Sequence, residues 1–217
     1  MRELPRLNLG PRYRALTLLA KGGMGAVYLG QRVDRSRPGA GEVVAIKVMH
    51  GYIADDPDTV SLFIDEARIA TRIIHPNDVR VLDIDVADDT PFLVMEYIEG
   101  LSLSRLFRHA AEREERLPID VVARILHDAL LGLGAAHALG AVHRDVSPHN
   151  VLVGSDGRAR ITDFGVATFT GRLSATAPGE VRGKLCYMAP EQIVRTGVDG
   201  RADVFTAGIV LWEALTG

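Results

Sequence analysis

The sequence is poor in what several protein classes require. It holds one cysteine, Cys186, among 217 residues. No internal disulfide can form, and the chain fits a reducing compartment. It lacks a charge excess: 25 Lys and Arg stand against 28 Asp and Glu, a formal charge of −3, with no basic stripe of the kind that holds nucleic acid. Residues 1–10 contain no apolar core of signal-peptide length. The longest apolar stretch, residues 125–142, is broken by His127, Asp128 and His137, and reads as a buried helix rather than a membrane span. There is no internal repeat. These absences leave a soluble, cytoplasmic protein. Its 47% hydrophobic and 24% charged residues suffice for an ordinary globular core, in one domain or two.

What is present divides near Gly100. Residues 13–33 read as two aliphatic strands around a glycine cluster, and 35–41 as a surface loop rich in Pro, Gly and charge. Residues 43–49 form a third strand. Residues 57–74 have helical spacing, with Leu62, Ala67, Ile69, Ala70 and Ile73 as the apolar stripe. Two further strands, 79–86 and 92–97, flank a turn at Asp88-Asp89-Thr90. Beyond Gly100 the spacing predicts helices over 102–116 and 118–139. A hairpin follows, with strands 151–153 and 158–162 around Gly154-Ser155-Asp156-Gly157. Residues 164–183 read as loop, and 201–215 as a closing apolar helix.

Several residue groups carry chemistry. Gly22, Gly23 and Gly25 between two strands would let backbone N–H groups approach phosphate oxygens, although glycine-rich hairpin turns also occur without a ligand. Lys47 sits in the apolar run Val44-Ala45-Ile46-Lys47, where a buried charge needs a partner. Glu66 on the following helix is the natural one, and Ala67 and Ala70 beside it allow close packing; taken in isolation, an ordinary surface salt bridge is the favoured reading of these residues. His143-Arg144-Asp145, then Asn150, then Asp163-Phe164-Gly165 set two carboxylates and a carboxamide around one hairpin. That donor set suits magnesium held by one or two carboxylates and substrate phosphates.

In this order, and completed by Ala189-Pro190-Glu191 and a helix bearing Asp203, these motifs resemble the signature set of protein kinases. The resemblance covers residues 13–217. Its style, with Gly22-Gly23-Met24-Gly25-Ala26-Val27-Tyr28 and Tyr187-Met188-Ala189-Pro190-Glu191-Gln192, is that of bacterial Hanks-type serine/threonine kinases. It implies an α+β bilobal kinase fold. The N-lobe, residues 13–99, would hold a five-stranded antiparallel sheet and one helix. The C-lobe, residues 100–217, would be mainly helical, and residues 1–12 an N-terminal extension. It further implies transfer of the ATP γ-phosphate to Ser or Thr hydroxyls of protein substrates, with Mg2+ as cofactor. By that resemblance, Gly22, Gly23, Met24 and Gly25 would cover the phosphates, with Ala20, Lys21 and Ala26 also counted as nucleotide-binding, and Lys47 would hold the phosphates and pair with Glu66. Val27, Ala45 and Leu152 would sandwich the adenine, Glu96 and Ile98 would bind its edge through their backbone, and Met95 would be the gatekeeper. Asp145 would accept the substrate proton, and Asn150 and Asp163 would bind metal. Asp203 would hold the catalytic loop from beneath. His143, Phe164, Ala70 and Val81 would stack as a column linking the lobes. Arg144 implies control by phosphorylation between Asp163 and Glu191, where Thr168, Thr170, Ser174 and Thr176 are the candidate acceptors and Ser174 or Thr176 is favoured. A small-molecule phosphotransferase is disfavoured by Ala189-Pro190-Glu191, which shapes a peptide platform.

The chain also departs from the pattern. Ala20 replaces the first loop glycine. Ser147 stands where the family carries a lysine two residues after the catalytic aspartate, and Lys184 where it carries a threonine. Because the family places those two positions in contact, Lys184 is expected to restore the charge missing at Ser147. The chain ends at Leu215-Thr216-Gly217, where complete members continue, so it reads as a fragment whose parent could be membrane-anchored beyond Gly217. The last helix would then lack cover over Val210, Leu211, Trp212 and Leu215. The competing reading is a nucleotide-binding or scaffolding module with little transfer activity.

Overall fold

A computed structural model of the chain describes residues 7–22, 25–34, 36, 39–50, 57–164 and 186–217, with the side chains of residues 57–59, 62 and 66 excepted. The chain divides into two compact units. The first comprises residues up to Thr71 together with Arg80–Tyr97, and the second comprises Arg72–Val79 and Ile98–Gly217.

The first unit is an antiparallel sheet with one helix. Strands β1 (Tyr13–Gly22), β2 (Gly25–Arg32), β3 (Val43–Met49), β4 (Val81–Ala87) and β5 (Thr90–Glu96) are ordered β1-β2-β3-β5-β4. Residues opposite each other in an antiparallel pair share a face. The register therefore sorts β2, β3 and β5 into two sides. Ala26, Tyr28, Val44, Ile46, Val48, Phe92 and Val94 form a buried cluster with Leu9 and Tyr13. On the other side lie Val27 opposite Lys47 opposite Leu93, and Leu29 opposite Ala45 opposite Met95. Helix α1 (Pro57–Ala70) packs on β4 and β5, with Phe63, Ala67 and Ala70 buried. Although β1 and β4 are the two sheet edges, Arg12 reaches Asp85 at 2.7 Å and also pairs with Asp83. The Tyr13 hydroxyl donates to Asp83 at 2.7 Å. These contacts tie the start of β1 to β4.

The second unit holds helices α2 (Leu103–Ala111), α3 (Ile119–Ala138), α4 (Pro190–Val194) and α5 (Gly200–Thr216), and strands β6 (Gly100–Ser102), β7 (Val151–Gly154) and β8 (Ala159–Ile161) in the order β6-β7-β8. Helix α3 packs against α5 and β8. Its buried Asp128 accepts the Ala159 N–H at 3.1 Å and the Arg124 Nε–H at 3.0 Å. Residues 77–79 join the same strand: Asn77 donates its side-chain amide to the Ala159 carbonyl at 2.9 Å, and Val79 N–H bonds the Ile161 carbonyl at 2.8 Å. A Cβ on Gly132 of α3 would come within 2.6 Å of the Asn77 carbonyl and of Asp78 Oδ1, so only glycine admits this approach.

Element boundaries move for identifiable reasons. The strand expected from residue 79 begins at Val81, because Val79 belongs to the second unit and pairs there with Ile161. Helix α1 stops at Ala70 rather than 74. The Thr71 hydroxyl closes the turn on the Arg68 carbonyl at 2.7 Å, and His75 precedes Pro76, which disfavours helix. Helix α2 ends at Ala111 rather than 116, and Glu114 turns left-handed at φ 56. Strand β6 and helix α4 go beyond the sequence reading. On α5, Val210 is buried, while Trp212 is 66% exposed and Leu211 and Leu215 are also exposed.

Candidate active site

The loop 143–150 is held by hydrogen bonds to much of its backbone. Asp203, in the first turn of α5, is 1% exposed. Its Oδ2 accepts the His143 N–H at 2.8 Å and His137 Nε2–H at 2.7 Å, and its Oδ1 accepts the Arg144 N–H at 2.7 Å. Three donors satisfy this buried carboxylate, the condition under which a buried charge is tolerated. The Asp145 N–H bonds His143 Nδ1 at 3.2 Å, and His143 Nε2 meets the Thr162 carbonyl at 2.9 Å. One nitrogen must accept and the other donate, so the neutral Nε2–H tautomer alone satisfies both. Ring contact adds to this, with Phe164 edge-on to His143 at 4.7 Å between centroids.

The acid–amide pair is brought together. Asn150 is buried, and its amide nitrogen donates to the Asp145 carbonyl at 2.8 Å and to Asp145 Oδ2 at 3.3 Å. The Asn150 N–H bonds the Ser147 carbonyl at 2.9 Å, and the Thr162 N–H bonds the Asn150 carbonyl at 3.0 Å. These bonds knit the loop to the strand leading into Asp163, which takes φ 66. A non-glycine residue there is uncommon and marks an over-determined position. Ser147 is 8% exposed. Leu152 lies in β7, opposite Ser102, and Ile98 opens the second part of the same unit.

The first unit carries the other expected residues. The register puts Val27, Ala45 and Lys47 on one face with Met95, which is 4% exposed. Ala26 turns to the opposite side, into the buried cluster. Ala20, Lys21 and Gly22 end β1 opposite Val27, Ala26 and Gly25. A Cβ on Gly25 would meet the Val48 carbonyl at 2.2 Å, which gives that glycine a strand-packing reason independent of any ligand. The Glu96 N–H is taken by the Arg80 carbonyl at 2.9 Å, and Glu96 Oε1 accepts the Arg80 N–H at 2.9 Å. Gly23, Met24, the Glu66 side chain, Gly165, Thr168, Thr170, Ser174, Thr176 and Lys184 lie outside the described residues.

Sequence reasoning missed three residues of this unit, two of them bound to the loop or to its anchor Asp203. His137 ends α3 and supports Asp203. Gln192 of α4 donates to the Arg144 carbonyl at 2.8 Å. Asp78 is 2% exposed, and among the described residues neither carboxylate oxygen has a hydrogen-bond partner. Burial pushes its pKa up to about 7.

Comparison with known proteins matches this arrangement. The protein kinase domain profile matches residues 13–217. The chain is 39% identical to the tyrosine-protein kinase MasK of Myxococcus xanthus over 95% of its own length and 33% of that protein. It is 39% identical to the serine/threonine-protein kinase PknL of Mycobacterium tuberculosis over 96% of its length and 50% of PknL. Identity to PrkC of Bacillus subtilis is 33%, over 97% and 31% of the two chains. The chain thus spans half or less of these relatives. The crystal structure of the Mycobacterium tuberculosis PknI kinase domain superposes with a TM-score of 0.72 at 30% identity, covering 94% of this chain and 74% of that one. The α+β bilobal architecture is therefore that of the kinase fold. Among the described residues no helix is long and apolar enough to cross a membrane. With an aspartate held on a loop that α5 grips from below, and with a family profile running from residue 13 to 217, the chain belongs to the protein kinase domain family.

Proposed function

We propose that the chain catalyses transfer of the ATP γ-phosphate to serine and threonine hydroxyls of proteins. The observation that carries the reading is the Asp145–Asn150 pair on a loop whose backbone N–H groups are bound by Asp203. Asp145 is the acceptor for the proton of the incoming hydroxyl, and its carboxylate is kept in place by the Asn150 amide. Lys47 neutralises phosphate charge, with Glu66 as its partner. Val27, Ala45 and Leu152 take the adenine faces. Glu96, whose N–H is already engaged, offers adenine its carbonyl, and Ile98 its backbone.

A magnesium ion fits the donor chemistry: Asp163 supplies a carboxylate, and Asn150, with its amide nitrogen turned to Asp145, supplies an amide oxygen. Bound with the nucleotide, the ion would offset phosphate charge. Among the described residues no three His, Cys, Asp or Glu side chains cluster, and a magnesium site completed by substrate phosphates needs no such cluster.

Serine/threonine specificity is supported by relatives named as serine/threonine kinases, PknL and PrkC, against one named as a tyrosine kinase. Ser147 favours a second reading, nucleotide binding with little transfer, because the family's lysine is absent there. Incubation with labelled ATP and magnesium, followed by phosphoamino acid analysis, separates the readings. Phosphoserine or phosphothreonine supports the first; nucleotide binding with no transfer supports the second.

A further inference from the structure

The peptide that leads into Asp145 is strained, and each of its polar groups is held. Arg144 has φ 63, in the left-handed region that a residue with a Cβ disfavours. Such a backbone persists only where its surroundings over-determine it. The Arg144 N–H is bound by Asp203 Oδ1 and the Asp145 N–H by His143 Nδ1. The remaining group is the Arg144 carbonyl, which accepts from Gln192 Nε2 at 2.8 Å across 48 residues of sequence. The other end of the same amide, Gln192 Oε1, accepts the Ala189 N–H at 3.0 Å. Only the amide oxygen can take an N–H, and only the amide nitrogen can meet a carbonyl. The two contacts therefore fix the orientation of the side chain between them.

We propose that Gln192 is a positioning residue for Asp145: its amide ties the strained Arg144 carbonyl to the start of α4, so that the Asp145 carboxylate is aimed only while Ala189–Gln192 is seated against the loop. The inference rests on the reading of Asp145 as the proton acceptor. It also makes a residue just past Ala189-Pro190-Glu191 part of the apparatus that orients the chemistry. A simpler role competes with it. Ala189 has no side-chain oxygen to cap α4, and Gln192 supplies the reciprocal half of a capping box by taking the Ala189 N–H.

Two substitutions in the 217-residue chain separate the roles. Gln192→Glu keeps an acceptor for Ala189 but loses the donor to Arg144, and at pH 8 its ionised carboxylate faces a carbonyl. Gln192→Met loses both. Amide hydrogen exchange across residues 143–146, melting temperature and steady-state kinetics are measured together. The proposal expects both variants to exchange about tenfold faster at 143–146, the equivalent of one hydrogen bond. Both should lose roughly 10- to 100-fold in kcat with KM for ATP within about twofold, while the Glu variant, which keeps the acceptor for the Ala189 N–H, loses less melting temperature than the Met variant. A Glu variant that matches wild type in exchange and kcat overturns the proposal and leaves Gln192 as a helix cap. So does faster exchange with unchanged kcat. If the Met variant fails to fold, the Glu variant decides alone. A wild-type chain that transfers no phosphate overturns the reading of Asp145 first, and this proposal with it. An active wild type with an indifferent Glu variant overturns this proposal alone.

Discussion

Asp78 makes stability depend on pH in a calculable way. Its carboxyl is 2% exposed, lies against Gly132 of α3, and among the described residues has no hydrogen-bond partner. Burial is the sole cause of its raised pKa, about 7 against an ordinary 3.8. Ionising this group in the folded protein thus costs about 4 kcal/mol more than in the unfolded chain, at about 1.4 kcal/mol per pH unit. The folded pKa of an acid is raised here, so the sign is opposite to that of a salt-bridged aspartate. Below about pH 4 both states are protonated and nothing is lost. Between about 4 and 7 the unfolded chain releases its proton while the folded one keeps it, so stability falls as pH rises; above about 7 the loss is complete and constant. Asp78→Asn removes the titration while keeping the shape. Urea unfolding of both proteins from pH 5 to pH 8 should show Asn gaining on Asp by about 2–3 kcal/mol across that range, flat beyond about pH 7.5. Other ionisable groups cancel in the difference. A gap between the two proteins that stays constant over pH 5–8 would refute the reasoning.

Two further outcomes follow from the loop. Asp203→Ala strips the acceptor from three donors, at His143, Arg144 and His137. It should lower the unfolding free energy by about 3–5 kcal/mol, read by urea titration; a loss under about 1 kcal/mol would contradict the geometry. Lys184→Met tests whether that lysine replaces the charge missing at Ser147. Transfer should fall roughly 10²–10³-fold with ATP affinity held, and undiminished transfer would discard the idea.

The sequence was legible where chemistry is local and the period is clear. Short aliphatic runs bounded by glycine, proline and turn residues placed β1 to β5, and the spacing of Asp145, Asn150 and Asp163 around the 151–161 hairpin marked the loop. What escaped depends on contacts between distant parts of the chain. Strand β6 is three residues long, too short for a period, and exists because Gly100–Ser102 pairs with β7. Val79 looked like the start of β4 but gives its N–H to Ile161. Helix α4 has five residues, and the part Gln192 plays depends on a carbonyl 48 residues away. The burial of Asp78 could not be read either, since an aspartate beside a turn is ordinarily exposed. Gly25 was legible as a required glycine for a reason the sequence does not show, its approach to the Val48 carbonyl.

The most direct test of the central claim is phosphate transfer by the wild-type chain beside Asp145→Asn, with labelled ATP, magnesium and phosphoamino acid analysis. Label is expected on serine or threonine in the wild type and should be lost in the variant, with nucleotide binding retained in both. Label confined to tyrosine, transfer that survives in Asp145→Asn, or a wild type that binds nucleotide and transfers nothing would contradict the claim.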